Sequence, residues 1–183
     1  TIVGPTAISS GAVVTDVLCY GDVNGEIDLS PTGGIGTYTY NWDVTTSIPT
    51  ANLNNQDHIN LQPGTYTVTI TDGNGCEITD AITVGEPDAI SSYFNPVVAV
   101  SCNGLFDGSA TVNPTGGVGS YSYVWSPSGG NAATANGLGV NTYTVQITDA
   151  NGCEYIDSIA ILEPASVISS VEADPLYFGP YDV

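Results

Sequence analysis

Four cysteines are the side chains of this sequence with the greatest scope for covalent chemistry, because two thiols can be oxidised to a disulfide. One falls early and one late in each half of the chain: Cys19 and Cys76, then Cys102 and Cys153. Four cysteines allow three pairings. The pairing that respects the internal repeat described below joins Cys19 to Cys76 and Cys102 to Cys153, and each bridge would stabilise its half by about 4 kcal/mol. Four reduced thiols are the alternative, since disulfides persist only in oxidising compartments.

Three short segments resemble the start of a calcium-binding loop. Each has two oxygen-bearing side chains two residues apart before a glycine: Asp22 and Asn24, Asp72 and Asn74, Asp149 and Asn151. The later ligands of such a loop, including its bidentate glutamate, are missing. The same tripeptide is common in ordinary tight turns. We therefore expect turns at these positions and no cofactor, with calcium as the candidate ligand.

Catalysis has little support in this sequence. His58 is the only histidine, and it lies in a connection that the second half of the chain lacks. No lysine is present to act as a base or nucleophile. Aromatic side chains could form a sugar-binding platform, but Tyr38 and Tyr40 have the same strand phase as Trp42, which favours a place in the core. We expect a protein that is not an enzyme.

The charge of the chain is entirely negative. It has 19 acidic residues, no lysine and no arginine, which gives a formal net charge of −19. Nucleic acids and anionic membranes are bound mainly through basic side chains, so neither is an expected partner. The carboxylates must be solvated, hydrogen-bonded or neutralised by cations from outside.

An internal repeat organises the whole sequence, because residues 64–87 recur as residues 141–164. In the first copy Tyr66, Val68 and Ile70 alternate with threonines, which predicts a strand with one buried face. The turn at 72–75 and a second apolar run at 76–84 complete a β-hairpin. Repetition at this period predicts an array of similar units.

The order of motifs in each copy predicts an all-β fold of tandem Ig-like β-sandwich repeats, with one intra-repeat disulfide each, arranged as a linear array. Leu61 to Tyr66 resembles the tyrosine corner of such sandwiches, with Asn141 replacing Gly64 in the left-handed region. Asp80 and Asp157 have the phase of inward residues and are expected at a rim or a bulge. The predicted boundaries are the tail of a preceding repeat at 1–5, repeat 1 at 6–87, repeat 2 at 88–164, and the first strand of a following repeat or a donated strand at 165–183.

Seven motifs follow in order between Cys102 and Pro164: Cys-Asn-Gly, Asp-Gly-Ser-Ala, Pro-Thr-Gly-Gly, Tyr-Ser-Tyr-x-Trp, Thr-Tyr-Thr-Val, Thr-Asp-Ala-Asn-Gly-Cys and Glu-Pro. Together they resemble the repeats of SprB-type gliding-motility adhesins, which are Bacteroidetes surface proteins. The first copy departs from the pattern at Cys19-Tyr20-Gly21 and has a longer middle segment. The resemblance implies a long, secreted, filamentous cell-surface protein that is exported by the type IX route. In that lineage Asp157-Ser158-Ile159 matches a short O-glycosylation signal, which makes Ser158 a candidate site.

Two functions remain open at this point. The favoured one is a structural segment of an extracellular fibre or adhesin stalk that assembles head to tail, with copies of itself or neighbouring repeats as partners. The alternative is a glycan- or surface-binding module that uses its variable inter-strand connections, residues 43–60 in the first copy and 126–136 in the second. Because residues 165–183 match the start of a repeat, we also expect this tail to pair with, or continue into, a neighbouring copy.

Salt is expected to stabilise this protein. A net charge of −19 without counter-charges repels itself, and the screening length falls from about 10 Å at 0.1 M salt to about 3 Å at 1 M. The melting temperature should therefore rise between 0.01 M and 1 M sodium chloride in calorimetry. A constant melting temperature over this range would contradict the prediction.

Overall fold

The computed structural model describes residues 4–43 and 52–164, and within these ranges the chain forms β-strands and no α-helix. The described residues include no helix that is long and apolar enough to cross a membrane. Two separate apolar cores are present, one in each repeat. The predicted all-β, Ig-like architecture is confirmed. The C-terminal tail predicted to start a further repeat, residues 165–183, lies wholly outside the described ranges, as do residues 1–3.

Each repeat is a sandwich of two three-stranded antiparallel sheets. In the first repeat β1 (Val13–Thr15), β2 (Gly25–Asp28) and β4 (His58–Leu61) form one sheet, and β3 (Thr39–Trp42), β5 (Gly64–Thr71) and β6 (Glu77–Val84) form the other. In the second repeat β7 (Ser91–Val98), β8 (Gly108–Thr115) and β10 (Thr134–Leu138) form one sheet, and β9 (Ser122–Ser126), β11 (Asn141–Thr148) and β12 (Glu154–Ile161) form the other. The two repeats therefore have the same topology.

The alternation seen in the sequence produces the core. Tyr66, Val68 and Ile70 on β5 are buried, as is Trp42 on the neighbouring β3. Because side chains on a strand alternate between its two faces, the threonines of β5 lie on the outer face of the sheet. There Thr65 and Thr69 approach the hydroxyls of threonines on β6. The second repeat builds an equivalent core around Trp125.

The two inward aspartates lie in regular ladders, because β5 and β6, and likewise β11 and β12, pair without a shift of register. Of the two expected positions, a rim or a bulge, the bulge is therefore absent at both Asp80 and Asp157. Instead, the Ser10 hydroxyl donates a hydrogen bond of 2.5 Å to Asp80, and the Ser92 hydroxyl donates one of 2.6 Å to Asp157. Each carboxylate at this half-buried position is thus satisfied by a serine from the start of its own repeat.

The tyrosine corner predicted from Leu61 to Tyr66 is present in both repeats. The Tyr66 hydroxyl donates to the Gln62 carbonyl at 2.7 Å, and the Tyr143 hydroxyl donates to the Gly139 carbonyl at 3.3 Å. Asn141 does not adopt the expected left-handed conformation. The left-handed position lies four residues earlier, at Gly137, whose counterpart Asn60 has a φ of 59° and sits where the strand register shifts.

Strand directions give each sandwich two distinct ends. At the end where the chain enters, which we call the entry pole, Gly34 donates its N–H to the Thr6 carbonyl and Gly73 donates to the Ile35 carbonyl. At the opposite end, the exit pole, Val17 donates to the Gly85 carbonyl where β6 leaves the sandwich. The β2–β3 loop and the β5–β6 turn therefore share the entry pole, whereas the β1–β2 turn and the end of β6 share the exit pole.

We expect Tyr66→Phe to reduce the free energy of unfolding of the first repeat by about 1 kcal/mol, because one hydrogen bond to the backbone is lost in a buried setting. Urea denaturation of the variant would measure this. Tyr93→Phe is the matched control, since Tyr93 is 57% exposed, and it should leave the denaturation midpoint unchanged. Equal effects of the two substitutions would contradict the prediction.

Candidate functional site: the junction between the repeats

A disulfide joins the two repeats. Cys19 of the first repeat is bonded to Cys153 of the second, with a Cα–Cα distance of 5.7 Å. Cys76 and Cys102 are unpaired and exposed. The predicted pairing within each repeat, Cys19 with Cys76 and Cys102 with Cys153, is therefore wrong.

The correction follows from the two poles of the sandwich. Cys19 lies in the β1–β2 turn at the exit pole, whereas Cys76 lies in the β5–β6 turn at the entry pole. Between these poles runs β5, a strand of eight residues, which spans about 25 Å. A disulfide requires Cα atoms within about 7 Å. The exit pole of one repeat meets the entry pole of the next. The early cysteine of the first repeat, Cys19, therefore lies next to the late cysteine of the second, Cys153.

Asp149 fixes the turn that presents Cys153. One oxygen of Asp149 accepts the N–H groups of Asn151 and Cys153, both at 2.9 Å, and the other accepts the Val118 N–H at 2.8 Å. Burial, which leaves Asp149 only 6% exposed, favours the protonated carboxyl, but the three N–H donors outweigh it and hold the pKa below its usual range. The charged carboxylate thus ties the β11–β12 turn to the neighbouring loop.

The same arrangement occurs at Asp72 in the first repeat. Asp72 accepts the N–H groups of Asn74 at 2.9 Å, Cys76 at 2.8 Å and Ile35 at 2.9 Å. The N–H of Cys76 is the main cause of a lowered pKa at this carboxyl, followed by that of Ile35. Each of the two late cysteines, Cys76 and Cys153, is therefore held by a buried aspartate of its own repeat.

Backbone contacts fix the turn that presents Cys19. The Asp22 N–H donates to the Cys19 carbonyl at 3.1 Å, and the Leu18 N–H donates to the side-chain oxygen of Asn24 at 3.1 Å. The Asn24 amide in turn donates to the carboxylate of Asp22 at 3.1 Å. The Asp-x-Asn-Gly segment at this position therefore organises the cysteine turn.

Hydrogen bonds reinforce the disulfide on both sides. Across the junction, the side-chain amide of Asn151 donates to the Leu18 carbonyl of the first repeat at 2.9 Å. Along the linker, Gly85 donates to Asp16 at 2.6 Å, and Glu86 accepts the Gly21 N–H at 3.1 Å. These contacts fasten both the disulfide and the linker to the exit pole of the first repeat.

The candidate calcium residues all lie in these turns. Both oxygens of Asp72 and of Asp149 already accept backbone N–H groups. Among the residues that the structure describes, no group of three or more His, Cys, Asp or Glu side chains is placed to hold a metal ion. Calcium binding at these turns stays a prediction.

The other candidate residues lie away from the junction. His58 packs edge-on against Trp42 with a centroid distance of 4.9 Å, and burial lowers its pKa, although Asp57 acts in the opposite direction. The Tyr38 hydroxyl donates to the Gly33 carbonyl at 2.5 Å, which ties a half-buried ring to the β2–β3 loop. Ser158 is exposed on β12, where O-glycosylation stays a prediction.

Comparison with known proteins supports the repeat assignment. The SprB repeat family matches residues 11–45 and 95–130, which confirms the predicted SprB-type repeats. No curated protein matches the sequence. The three N-terminal domains of the highly immunogenic outer capsid protein (Hoc) of bacteriophage RB49 superimpose with a TM-score of 0.55 at 13% identity, over 86% of this chain and 59% of that one. That similarity concerns the fold alone.

Two further structures resemble the chain more loosely. A C-terminal fragment of intimin, in complex with the intimin-binding domain of the translocated intimin receptor, gives a TM-score of 0.42 at 11% identity over 85% of this chain and 64% of that one. A structure of Dscam that addresses isoform specificity gives 0.35 at 11% identity, over 86% and 46%. The chain thus spans less than two thirds of the length of each of the three structures.

The two buried aspartates should make stability depend on acid pH. Their pKa values are lowered by folding, so their contribution is complete above the unfolded pKa of about 4 and is lost as the pH falls through the lower folded pKa. Asp72→Asn with Asp149→Asn should lower the melting temperature at pH 7 by roughly 5 °C.

The difference between this double variant and the wild-type protein should shrink below pH 4, as measured by thermal unfolding at a series of pH values. Protonation of the other carboxylates in acid also changes the melting temperature. Because it does so in both proteins, the difference between the variant and the wild-type protein at each pH is largely free of this effect. Glu163→Gln, at an exposed position, is the control for removal of one charge. A difference that stays constant down to pH 2 would contradict the assignment.

Proposed function

Because the chain carries two SprB-type repeats, we propose that it is a structural segment of an extracellular fibre or adhesin stalk that performs no catalysis. Its partners are neighbouring repeats or copies of itself, arranged head to tail at the cell surface. The observation that carries this proposal is the disulfide from the exit pole of one repeat to the entry pole of the next. A covalent link at this place has a specific mechanical consequence.

Tension applied to the two ends of the chain does not pass through most of it. The covalent path from the N-terminal side runs along β1 to Cys19, crosses the disulfide to Cys153, and continues along β12 to the end of the second repeat. Residues 20–152 lie outside this path. Both cores are formed largely by these bypassed residues.

The segments that do carry the load are already extended. β12 runs between the poles of its sandwich over eight residues, and the three residues of β1 are extended along part of the same course in the first repeat. A strand advances about 3.3 Å per residue, close to the limit of a stretched chain. Pulling therefore has little slack to release. A stalk built in this way resists unfolding by tension. The covalent path through the disulfide reaches its full length before the force can separate the packed strands of the cores.

The disulfide also restricts bending at the junction. Without it, the linker around Gly85 and Glu86 would be the sole covalent connection, and short linkers between domains permit relative motion. A second covalent connection at Cys19, with the hydrogen bond from Asn151 to Leu18, opposes rotation about that linker. Stiffness is the property that a shaft requires.

An extracellular location agrees with the chemistry of the chain. A disulfide persists in an oxidising compartment. The surface carries many carboxylates and no lysine or arginine, so trypsin-like proteases have no residue to cleave after. Export by the type IX route and a role in gliding motility are part of this proposal through the SprB-type repeats.

Glycan binding through the connection at residues 43–60 is the alternative function. Residues 44–51 of that connection lie outside the described ranges. The tyrosines that first suggested an aromatic platform are half-buried and bonded to their own loops, as Tyr38 and Tyr121 show through Gly33 and Gly116. No contact in the described residues favours this alternative.

Single-molecule stretching from the two termini tests the mechanical role. In oxidising buffer, the protein should show no unfolding step that releases residues 20–152. Cys19→Ser should add up to about 450 Å of extension, because the disulfide spans a sequence separation of 134 residues.

Cys102→Ser is the matched control, since it removes the exposed thiol from the β7–β8 turn, the counterpart of the Cys19 turn, and leaves the disulfide in place. It should behave as the wild-type protein does. Full-length unfolding of the oxidised wild-type protein would refute the proposed role as a tension-resistant shaft.

A further inference from the structure

The two unpaired cysteines lie at the two ends of the segment. Cys76 is at the entry pole of the first repeat, and Cys102 is at the exit pole of the second. Each is the counterpart of a bonded residue, because Cys76 corresponds to Cys153 and Cys102 corresponds to Cys19. The junction therefore shows what each free cysteine would bond to if one more repeat were present on its side.

Cys76 is presented in the same geometry as the bonded Cys153. The Cys76 N–H donates to Asp72 at 2.8 Å, and its carbonyl accepts the Asp72 N–H at 2.9 Å. For Cys153 and Asp149 the same two distances are 2.9 Å and 3.0 Å. The turn at Cys76, whose thiol is free, thus has the same hydrogen bonds as the turn at Cys153, whose sulfur is in a disulfide.

A recess beside Cys76 repeats the pocket that Cys19 borders at the junction. In the second repeat, residues 87–90, Gly117 and residues 153–155 line a pocket that Cys19 and Tyr20 of the first repeat also line. The corresponding residues of the first repeat, 5–8, Gly34 and 76–78, line a recess of about 270 Å³ together with Asp72. The first repeat therefore has the same receptor surface without the cysteine turn of a preceding repeat.

The turn that carries Cys102 reproduces the turn that carries Cys19. The Leu105 N–H donates to the Cys102 carbonyl at 3.2 Å, where the Asp22 N–H donates to Cys19 at 3.1 Å. The Ser101 N–H donates to Asp107 at 2.9 Å, as Leu18 donates to Asn24. The inserting half of the junction is therefore also present, at the other end of the molecule.

We propose that the free Cys102 turn of one segment inserts into the Cys76 recess of the next and forms a disulfide there. This inference rests on the proposed head-to-tail function and specifies its covalent chemistry. In a longer chain the following repeat supplies the recess, and for the 183-residue chain a second copy supplies it. The two thiols lose two protons and two electrons to a disulfide oxidant such as oxidised glutathione, which is released as two thiols.

The consequence is a second load path that continues from repeat to repeat. One path runs through β1, the Cys19–Cys153 bond and β12. The other runs through β6, the linker and β7 to Cys102, and it continues through the proposed bond into the next late cysteine. Every repeat is then crossed by two covalent paths, and most residues of each core lie outside both of them.

Oxidation of separate and mixed variants tests the pairing. The complete 183-residue chain is treated with oxidised glutathione at high ionic strength, which screens the repulsion between copies of net charge −19. The wild-type protein should give a ladder of oligomers on non-reducing gels. Cys76→Ser alone and Cys102→Ser alone should each remain monomeric, whereas an equimolar mixture of the two should stop at a dimer.

Mass spectrometry after cleavage at acidic residues should find the Cys102–Cys76 peptide in this dimer. Dimers in either single variant would show pairing between like cysteines and would overturn the proposal, as would a wild-type protein that stays monomeric. The tension resistance of a single molecule depends on the Cys19–Cys153 bond and on neither Cys76 nor Cys102. A missing ladder with intact tension resistance would thus refute this inference and leave the proposed function standing.

Discussion

The length of a strand, compared with the short reach of a disulfide, determines how the repeats of this chain are linked. Eight residues of β5 hold the two turns of one sandwich about 25 Å apart, whereas a disulfide joins Cα atoms within about 7 Å. A repeat of this design cannot close a bridge on itself. Its two cysteines lie at opposite poles, and the bond observed joins the exit pole of one repeat to the entry pole of the next.

Buried carboxylates depend on the same geometry, because the chain has no lysine or arginine to pair with them. Asp72 and Asp149 are each 6% exposed and stay charged through three backbone N–H donors. Asp80 and Asp157 depend instead on serine hydroxyls. Hydrogen bonds thus replace ion pairs inside the protein, while the remaining negative charge stays in solvent. The hydrogen bonds of Asp72 and Asp149 also hold the late cysteine of each repeat, since each carboxylate accepts the N–H of that cysteine. In the second repeat this cysteine, Cys153, forms the disulfide between the repeats.

Disulfides in small β-sandwiches are usually considered as stabilisers of one core. Here the bond lies between cores, and each repeat has ten buried apolar residues that pack without it. The disulfide instead acts between the repeats. It limits rotation about the linker, and it shortens the covalent path from one end of the two repeats to the other. A sandwich fold with entry and exit at opposite poles is well suited to such a link, because the segments that carry the covalent route already lead from one pole to the other.

Much of the fold can be predicted from short-range sequence patterns. The alternation at Tyr66, Val68 and Ile70 specifies a strand because side chains on a strand point to opposite faces in turn. The Asp-x-Asn-Gly segments specify tight turns, and the tyrosine corner follows from Tyr66 and the residues just before it. These features depend on neighbours within a few residues, so sequence alone was sufficient to predict the repeat, the hairpin and the sandwich.

The partner of Cys19 was decided by tertiary structure alone. If consecutive strands simply alternated in direction, the turn with Cys19 and the turn with Cys76 would fall at the same pole, and the bond within the repeat would be possible. In the structure β3 and β4 instead run in the same direction, so the later turn moves to the other pole. The sequence between these two strands is polar and poorly patterned, and nothing in it predicts that they run in the same direction. Only the pairing of β4 with β2, a contact between residues far apart in sequence, fixes the direction and with it the disulfide.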